Sequence, residues 1–394
     1  MKILLITTLY PGYKDQSKIQ ATHAVHNFAK EWAKKEEVQV IRIWPCYPKI
    51  FECFKKGRKV NKYAYKEEFI LDDVNVMRTP ILKIPKISYG SRDIKLIAKE
   101  IIEIMNKEGK PDVIICDMLN PSIYIGEIVA KELNSILIAS LHNTDNSYLA
   151  IEKNYRKYIK TDPYIEKIVF RSNKVEKDFL ELYDGTKNKK DFLKVFFGID
   201  KKEVLDSHKI EDKISNPPKV ILVASSLKQL KKIDVLIEAF ARIEDKNGYI
   251  LKIIGDGPER EILETQVKDL NCEKNIYFEG EKTRDEVLSL MEESNIFAMV
   301  SSPETFGLVY VEAMAKGCIT IGSKGEGIDG VIVKNSNGFL CIPGDVEDLK
   351  ETLEISIALK KEERKKIIDN AINTARSLNH EDLADEYLTK IKQI

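Results

Sequence analysis

The chain carries no net charge: its 394 residues hold 63 Lys and Arg against 63 Asp and Glu. A global pull toward nucleic acid is therefore excluded, although a local basic patch is not. No run reaches the roughly 18 apolar residues that a membrane span needs. No secretory leader is expected either, because Met1-Lys2 leads straight into ILLITTLY, which is short and ends in a turn. None of the six cysteines is spaced C-x-x-C, and Cys116 and Cys318 sit in apolar runs. Free thiols in a reducing compartment are the expectation. What is present is 43% hydrophobic and 32% charged, the balance of a soluble globular chain long enough for two domains.

The N-terminal half alternates strand and helix. Lys2 to Leu9 predicts a strand, Gln20 to Lys35 a helix, and Val38 to Trp44 a second strand. Such a β-α-β unit favours a parallel doubly wound sheet with ligands at strand carboxyl ends. His23 and His26 share a helix face, but no third metal ligand is suggested nearby. Residues 47–85 read as irregular, rich in Phe, Tyr, Lys and Arg. They suit either a solvated loop or a flap against an anionic membrane face or lipid-linked acceptor. Strand Ile136 to Leu141 then delivers His142 at its carboxyl end, where open α/β sheets place ligands. Lys201 to Asn216, followed by Pro217-Pro218, reads as a charged hinge linker.

The C-terminal half is organised around Ser301–Gly317, SSPETFGLVYVEAMAKG. Ile296 to Val300 reads as a buried strand, and Thr305 as the cap of a helix running to Lys316. A helix start carries unpaired N–H groups with partial positive charge and binds phosphate. Gly307 would let a ligand close to that backbone. Glu304 and Glu312 frame it, about 12 Å apart at helical rise. A nucleoside-diphosphate sugar has the length to meet one carboxylate at each end.

PETFGLVYVEAMAKG resembles the E-x7-E segment of retaining glycosyltransferases of family 4, with the two glutamates on Glu304 and Glu312. The likeness is strong over Lys219 to Asp348 and traceable in the N-terminal half. It implies the GT-B fold: two doubly wound Rossmann-like α/β domains facing a cleft. The boundaries would be an acceptor-binding domain at 1–200, a hinge linker at 201–218, a nucleotide-sugar domain at 219–375, and a helix at 376–394 returning to the first domain. It implies a retaining transfer from a UDP- or GDP-linked sugar to a hydroxyl of a surface glycan, glycolipid or glycoprotein. The setting would be cytoplasmic, with peripheral contact to the membrane's inner face.

By the same resemblance, Glu304, His142 and Lys231 are catalytic candidates. Glu312 would hold ribose, and backbone N–H groups at Phe306, Gly307, Leu308 and Val309 the diphosphate. Gly257 and Gly280 lie at turns near the nucleotide. The loop SSLKQLKK departs from the family: Ser226 stands where an arginine is usual, and Lys228 is a candidate to compensate. The first loop, Asp15 to Thr22, also lacks the family's glycines. No Asp-x-Asp occurs in the chain. No metal or cofactor is therefore expected, the sugar nucleotide being a co-substrate. Gly325–Gly330 spells G-x-G-x-x-G. It keeps open a nicotinamide-dependent oxidoreductase, although no β-α-β unit follows it. A second alternative is a non-catalytic nucleotide-sugar-binding protein of the same fold.

Overall fold

The computed structural model describes residues 1–16, 22–85, 87–151, 164–183 and 191–394. Most of the glycine-free first loop, at 17–21, lies outside them. The chain divides into two compact units. The first is Met1–Arg171, Val175–Val195 and Leu383–Ile394, and the second is Ser172–Lys174 and Phe196–Asp382.

The N-terminal unit is built on an eight-stranded sheet of order β3-β4-β2-β1-β5-β6-β7-β8. Its strands are β1 Lys2–Thr7, β2 Glu37–Cys46, β3 Glu67–Leu71, β4 Val74–Leu82, β5 Val113–Asp117, β6 Ile136–Leu141, β7 Ile165–Phe170 and β8 Phe192–Lys194. All pairings are parallel except β3 with β4. Every residue of KILLIT and VIICD is buried. Central parallel strands are covered on both faces and so read as unbroken apolar runs. Helix Ser91–Glu108 buries Ile94, Ile97, Ala98, Ile101 and Met105, a single stripe at helical spacing.

The stretch 47–85 is not irregular. It holds a helical turn at Lys49–Cys53, helix Lys55–Asn61 and the β3–β4 hairpin. The hairpin turns on Asp72 and Asp73, with φ of 47° and 63°. A two-residue type I′ hairpin turn needs positive φ at both positions, which Asp tolerates. His26 lies in the interior of this unit. Its ring is buried, with Nδ1 2.7 Å from the Tyr10 hydroxyl and Nε2 3.0 Å from Asp72.

The last helix, His380–Lys392, belongs to this unit from Leu383 onward. Trp32 Nε1 donates to the Ala384 carbonyl at 2.9 Å, and the buried Tyr387 ring packs edge-on against Trp32 and Phe28. No described helix is long and apolar enough to cross a membrane.

The C-terminal unit carries a six-stranded sheet of order β11-β10-β9-β12-β13-β14, parallel throughout. The strands are β9 Val220–Ala224, β10 Ile250–Ile254, β11 Ile276–Gly280, β12 Ile296–Ala298, β13 Ile319–Ser323 and β14 Phe339–Cys341. The order reverses between β9 and β12, so the loops after those two strands open a crevice at their carboxyl ends.

The stretch 201–218, read as a linker, is folded into this unit. It forms a turn at Lys201–Glu203 and helix Ser207–Ser215. Ile210 and Ile214, one helical turn apart, are buried in an otherwise charged sequence. Lys213 is buried with them, donating to the carbonyls of Met291 at 2.9 Å and Lys316 at 2.7 Å. Burial lowers its pKa.

Candidate active site

Two loops meet at the reversal point of the C-terminal sheet. The first, after β9, runs from Ser225 through a helical turn at Gln229–Lys231. The turn Gly255–Pro258 holds it from behind: Leu227 N–H donates to the Asp256 carbonyl at 2.9 Å. A Cβ on Gly255 would lie 1.8 Å from the Ser225 carbonyl oxygen, and one on Gly257 would lie 2.3 Å from that of Leu227. These glycines are required for loop-on-loop packing. Gly280 has φ of +70° and its carbonyl accepts from Gly255 N–H at 2.8 Å, closing the same layer.

The second loop, after β12, joins the first through Ser302 N–H, which donates to the Leu230 carbonyl at 2.9 Å. That bond sets Lys231 beside Glu304, with Nζ to Oε2 at 2.7 Å. Ser301 Oγ donates to the same carboxylate oxygen at 3.0 Å, and Thr305 N–H to Oε1 at 3.1 Å. Both side chains remain partly accessible, at 18% for Lys231 and 15% for Glu304, so a ligand can reach the pair. Ser226 and Lys228 expose their side chains on the same loop.

The helix begins later than the sequence suggests. Its cap is Gly307, with φ of +79°, and the helix is Leu308–Ala315. Thr305 cannot cap it, because Gly307 takes the left-handed conformation that breaks the backbone between them. Among the described residues, the N–H groups of Phe306, Gly307, Leu308 and Val309 have no acceptor in the chain. Four donors at a helix start make an anion seat. The Phe306 ring itself is core, 5.5 Å from Phe196 and near-parallel to it.

Glu312 projects from that helix toward Arg284, whose Nη2 lies 2.6 Å from Oε1. Arg284 also holds both oxygens of Glu203, with Nη2 2.8 Å from Oε2. Burial works against the Arg284 charge, but Glu203 and Glu312 more than offset it and raise its pKa. Arg284 sits at the first position of helix Arg284–Glu292, behind a Thr283/Glu286 capping box. Sequence reasoning identified neither this capping box nor the partners of Arg284.

Glu326 is another residue that sequence reasoning missed. It is 7% exposed, lies inside the G-x-G-x-x-G stretch, and holds the Glu304 loop. Its Oε2 accepts from Glu304 N–H at 2.8 Å and its Oε1 from Ser302 Oγ at 2.7 Å. A Cβ on the neighbouring Gly327 would lie 2.0 Å from the Thr305 carbonyl oxygen. The close approach that glycine permits here is taken up by the chain's own backbone, which speaks against a dinucleotide reading of Gly325–Gly330.

His142 belongs to the N-terminal unit. It is buried at the end of β6, with Nε2 2.9 Å from Asp117 Oδ1 at the end of β5. Asp117 Oδ2 accepts from Arg171 at 2.9 Å and from Ser140 Oγ at 2.8 Å. Burial alone would raise the Asp117 pKa, but His142 and Arg171 pull it well below the usual carboxylate range. Asp145 accepts from the backbone N–H of His142 at 2.8 Å and of Leu119 at 2.9 Å. Burial raises its pKa to about 6.

Residues 206–374 match the family model described as glycosyl transferases group 1. N-acetyl-alpha-D-glucosaminyl L-malate synthase of Bacillus anthracis is 34% identical over 150 residues, 38% of this chain and 38% of that enzyme. The lipopolysaccharide core biosynthesis glycosyltransferase LpsE of Rhizobium meliloti is 26% identical over 204 residues, 52% of this chain and 55% of that one. The alignments thus span less than two thirds of either relative. HepE of Anabaena, crystallised with UDP and glucose, matches over 100% of both chains with a TM-score of 0.69 at 18% identity. The fold is GT-B, with two parallel-sheet Rossmann-like units.

Proposed function

We propose that the chain is a glycosyltransferase that moves a sugar, with retention, from a nucleoside-diphosphate sugar to a hydroxyl group. The observation that carries this reading is the Lys231–Glu304 pair beside four unpaired N–H groups at a sheet reversal point. The diphosphate leaving group gains negative charge as the glycosidic bond breaks. Preorganised donors aimed at that charge are the largest available source of acceleration. Lys231 and the N–H groups of Phe306 to Val309 stabilise it. Glu304 orients the sugar and favours the positive charge developing at its anomeric carbon. Glu312, held by Arg284, takes the ribose hydroxyls. His142, held by Asp117, serves the transferred sugar.

The HepE complex supports uridine as the base. The acceptor is a surface glycan, glycolipid or glycoprotein, and the two curated relatives support small-molecule or lipopolysaccharide hydroxyls as its chemistry. Exposed Ile50 and Phe54 beside exposed Arg58, Lys59 and Lys62 suit an acceptor carried on an anionic membrane face. Sedimentation with phosphatidylglycerol vesicles, compared with phosphatidylcholine alone, tests that last point.

The test of the function is calorimetry with UDP, GDP and NADH, followed by turnover of UDP- and GDP-sugars. Micromolar binding of one nucleoside diphosphate and release of it during transfer is the expected result. Proton NMR of the product reads the anomeric configuration. NADH binding with no nucleoside-diphosphate binding overturns the proposal.

A further inference from the structure

We infer that Glu326 is a positioning residue for Glu304, an inference that rests on the glycosyltransferase reading. Glu304 has its backbone gripped on both sides by consecutive residues. Its N–H donates to the Glu326 carboxylate at 2.8 Å, and its carbonyl accepts from Gly327 N–H at 3.1 Å. The other oxygen of Glu326 takes the Ser302 hydroxyl at 2.7 Å. Ser302 in turn is bonded through its N–H to Leu230, next to Lys231. One buried side chain therefore fixes the backbone of Glu304 and ties it to the loop carrying its cationic partner.

The chemistry makes this role costly, which is why it signals function. Among the described residues no basic side chain pairs with Glu326. Burying a carboxylate without a cation is costly unless hydrogen bonds satisfy it, as those from Glu304 N–H and Ser302 Oγ do here. The turn around it is closed independently: Gly325 N–H donates to Asp329 Oδ2 at 2.6 Å, and Asp329 N–H to the Glu326 carbonyl at 2.9 Å. The Glu326 side chain is thus not needed to form its own turn. It is spent on the segment that carries Glu304.

Glutamine can reproduce the geometry without the charge. Its carbonyl can accept from Glu304 N–H, while its amide donates to Ser302 Oγ with the hydroxyl reversed. Alanine removes both bonds and leaves the Glu304 N–H without its partner.

The test compares wild type, E326A and E326Q by three measurements. These are hydrogen exchange at the amides of Glu304 and Gly327 in the ligand-free protein, UDP affinity by calorimetry, and kcat and KM with UDP-glucose. E326A should speed exchange at those amides at least tenfold and lower kcat at least tenfold, with the UDP Kd changed less than threefold. E326Q should restore most of both losses. If E326A fails to fold, Ser302→Ala removes the outer bond alone and should move exchange and kcat in the same direction by a smaller factor. Unchanged exchange in E326A overturns the inference. So does an E326Q variant that keeps wild-type exchange yet loses as much kcat as E326A, since charge would then be the contribution. If the wild type binds neither UDP nor GDP, the glycosyltransferase reading fails, while the exchange comparison still decides the clamp.

Discussion

Lys231 and Glu304 reach each other from the ends of two different strands, β9 and β12, and meet at 2.7 Å. The ammonium faces a carboxylate before any phosphate is present. On the proposed function, a diphosphate entering here would compete for Lys231, while Ser301 and Thr305 still hold the Glu304 carboxylate.

Lys231→Ala should cost about 2.7–4 kcal/mol of transition-state stabilisation, by analogy with loss of one oxyanion donor. Lys228→Ala should cost clearly less, because Lys228 is exposed and Lys231 is the cation seated against Glu304. Steady-state kcat/KM for the two variants checks this. Equal, small losses contradict the assignment.

Glu304→Gln and Glu312→Ala should fail in different ways. On the proposed function Glu304 would act where charge develops only during transfer, so its loss should lower kcat and leave UDP affinity nearly unchanged. On the proposed function Glu312 would grip the nucleoside in ground and transition states alike, so its loss should weaken UDP binding. Calorimetry beside kinetics separates them. The reverse pattern means that the ligand lies the other way round.

Arg284→Ala should weaken UDP binding about tenfold, because it leaves Glu203 and Glu312 facing each other without their shared cation. Removing one partner of a partly buried ion pair should also cost stability, about 1–3 kcal/mol at this degree of exposure. Arg284→Lys should recover only part of the affinity, since an ammonium lacks the fork that spans two carboxylates. Chemical denaturation and calorimetry report the two effects.

Stability should depend on pH through two carboxylates of opposite sign beside His142. Burial raises Asp145 from an ordinary 3.8 to about 6. The folded chain therefore keeps a proton that the unfolded chain has lost, and this contribution, full below about pH 4, declines as pH rises to 6. Asp117 is shifted down by His142 and Arg171 against the effect of burial. Its contribution is present above about pH 4 and is lost as pH falls below that. Thermal melts from pH 3 to 7 should show Asp145→Asn flattening the decline between pH 4 and 6, and Asp117→Asn flattening the acid limb. A wild-type-like profile in both variants contradicts the assignment.

Much of the C-terminal site was legible because it is local. Glu304, Gly307 and Glu312 lie within one loop and helix, and the apolar runs on either side fix both strands. Lys231 was placed by its likeness to the family's lysine, counted back from Asp234. What was not legible depends on tertiary pairing. Arg284 has no sequence neighbour that reveals Glu203 or Glu312 as its partners. Glu326 was passed over because the glycines around it drew attention to a ligand, whereas Gly327 makes room for the Thr305 carbonyl. The helix Ser207–Ser215 was hidden by its charge, with Ile210 and Ile214 too sparse to register as a stripe. The β3–β4 hairpin was missed because its turn is Asp-Asp and not the commoner Asn-Gly.

The bond from Trp32 to Ala384 joins residues 352 positions apart. At an elongation rate of about 5–20 residues per second, roughly 20–70 s pass between synthesis of the two. Through that interval Phe28 and Trp32 lack the ring of Tyr387 that covers them. The half of the molecule made first is therefore the half finished last. The nascent chain carries an open aromatic face for the whole time in which Phe196–Asp382 is being made and can close on itself. How long that face stays uncovered during synthesis is set by where the last helix packs.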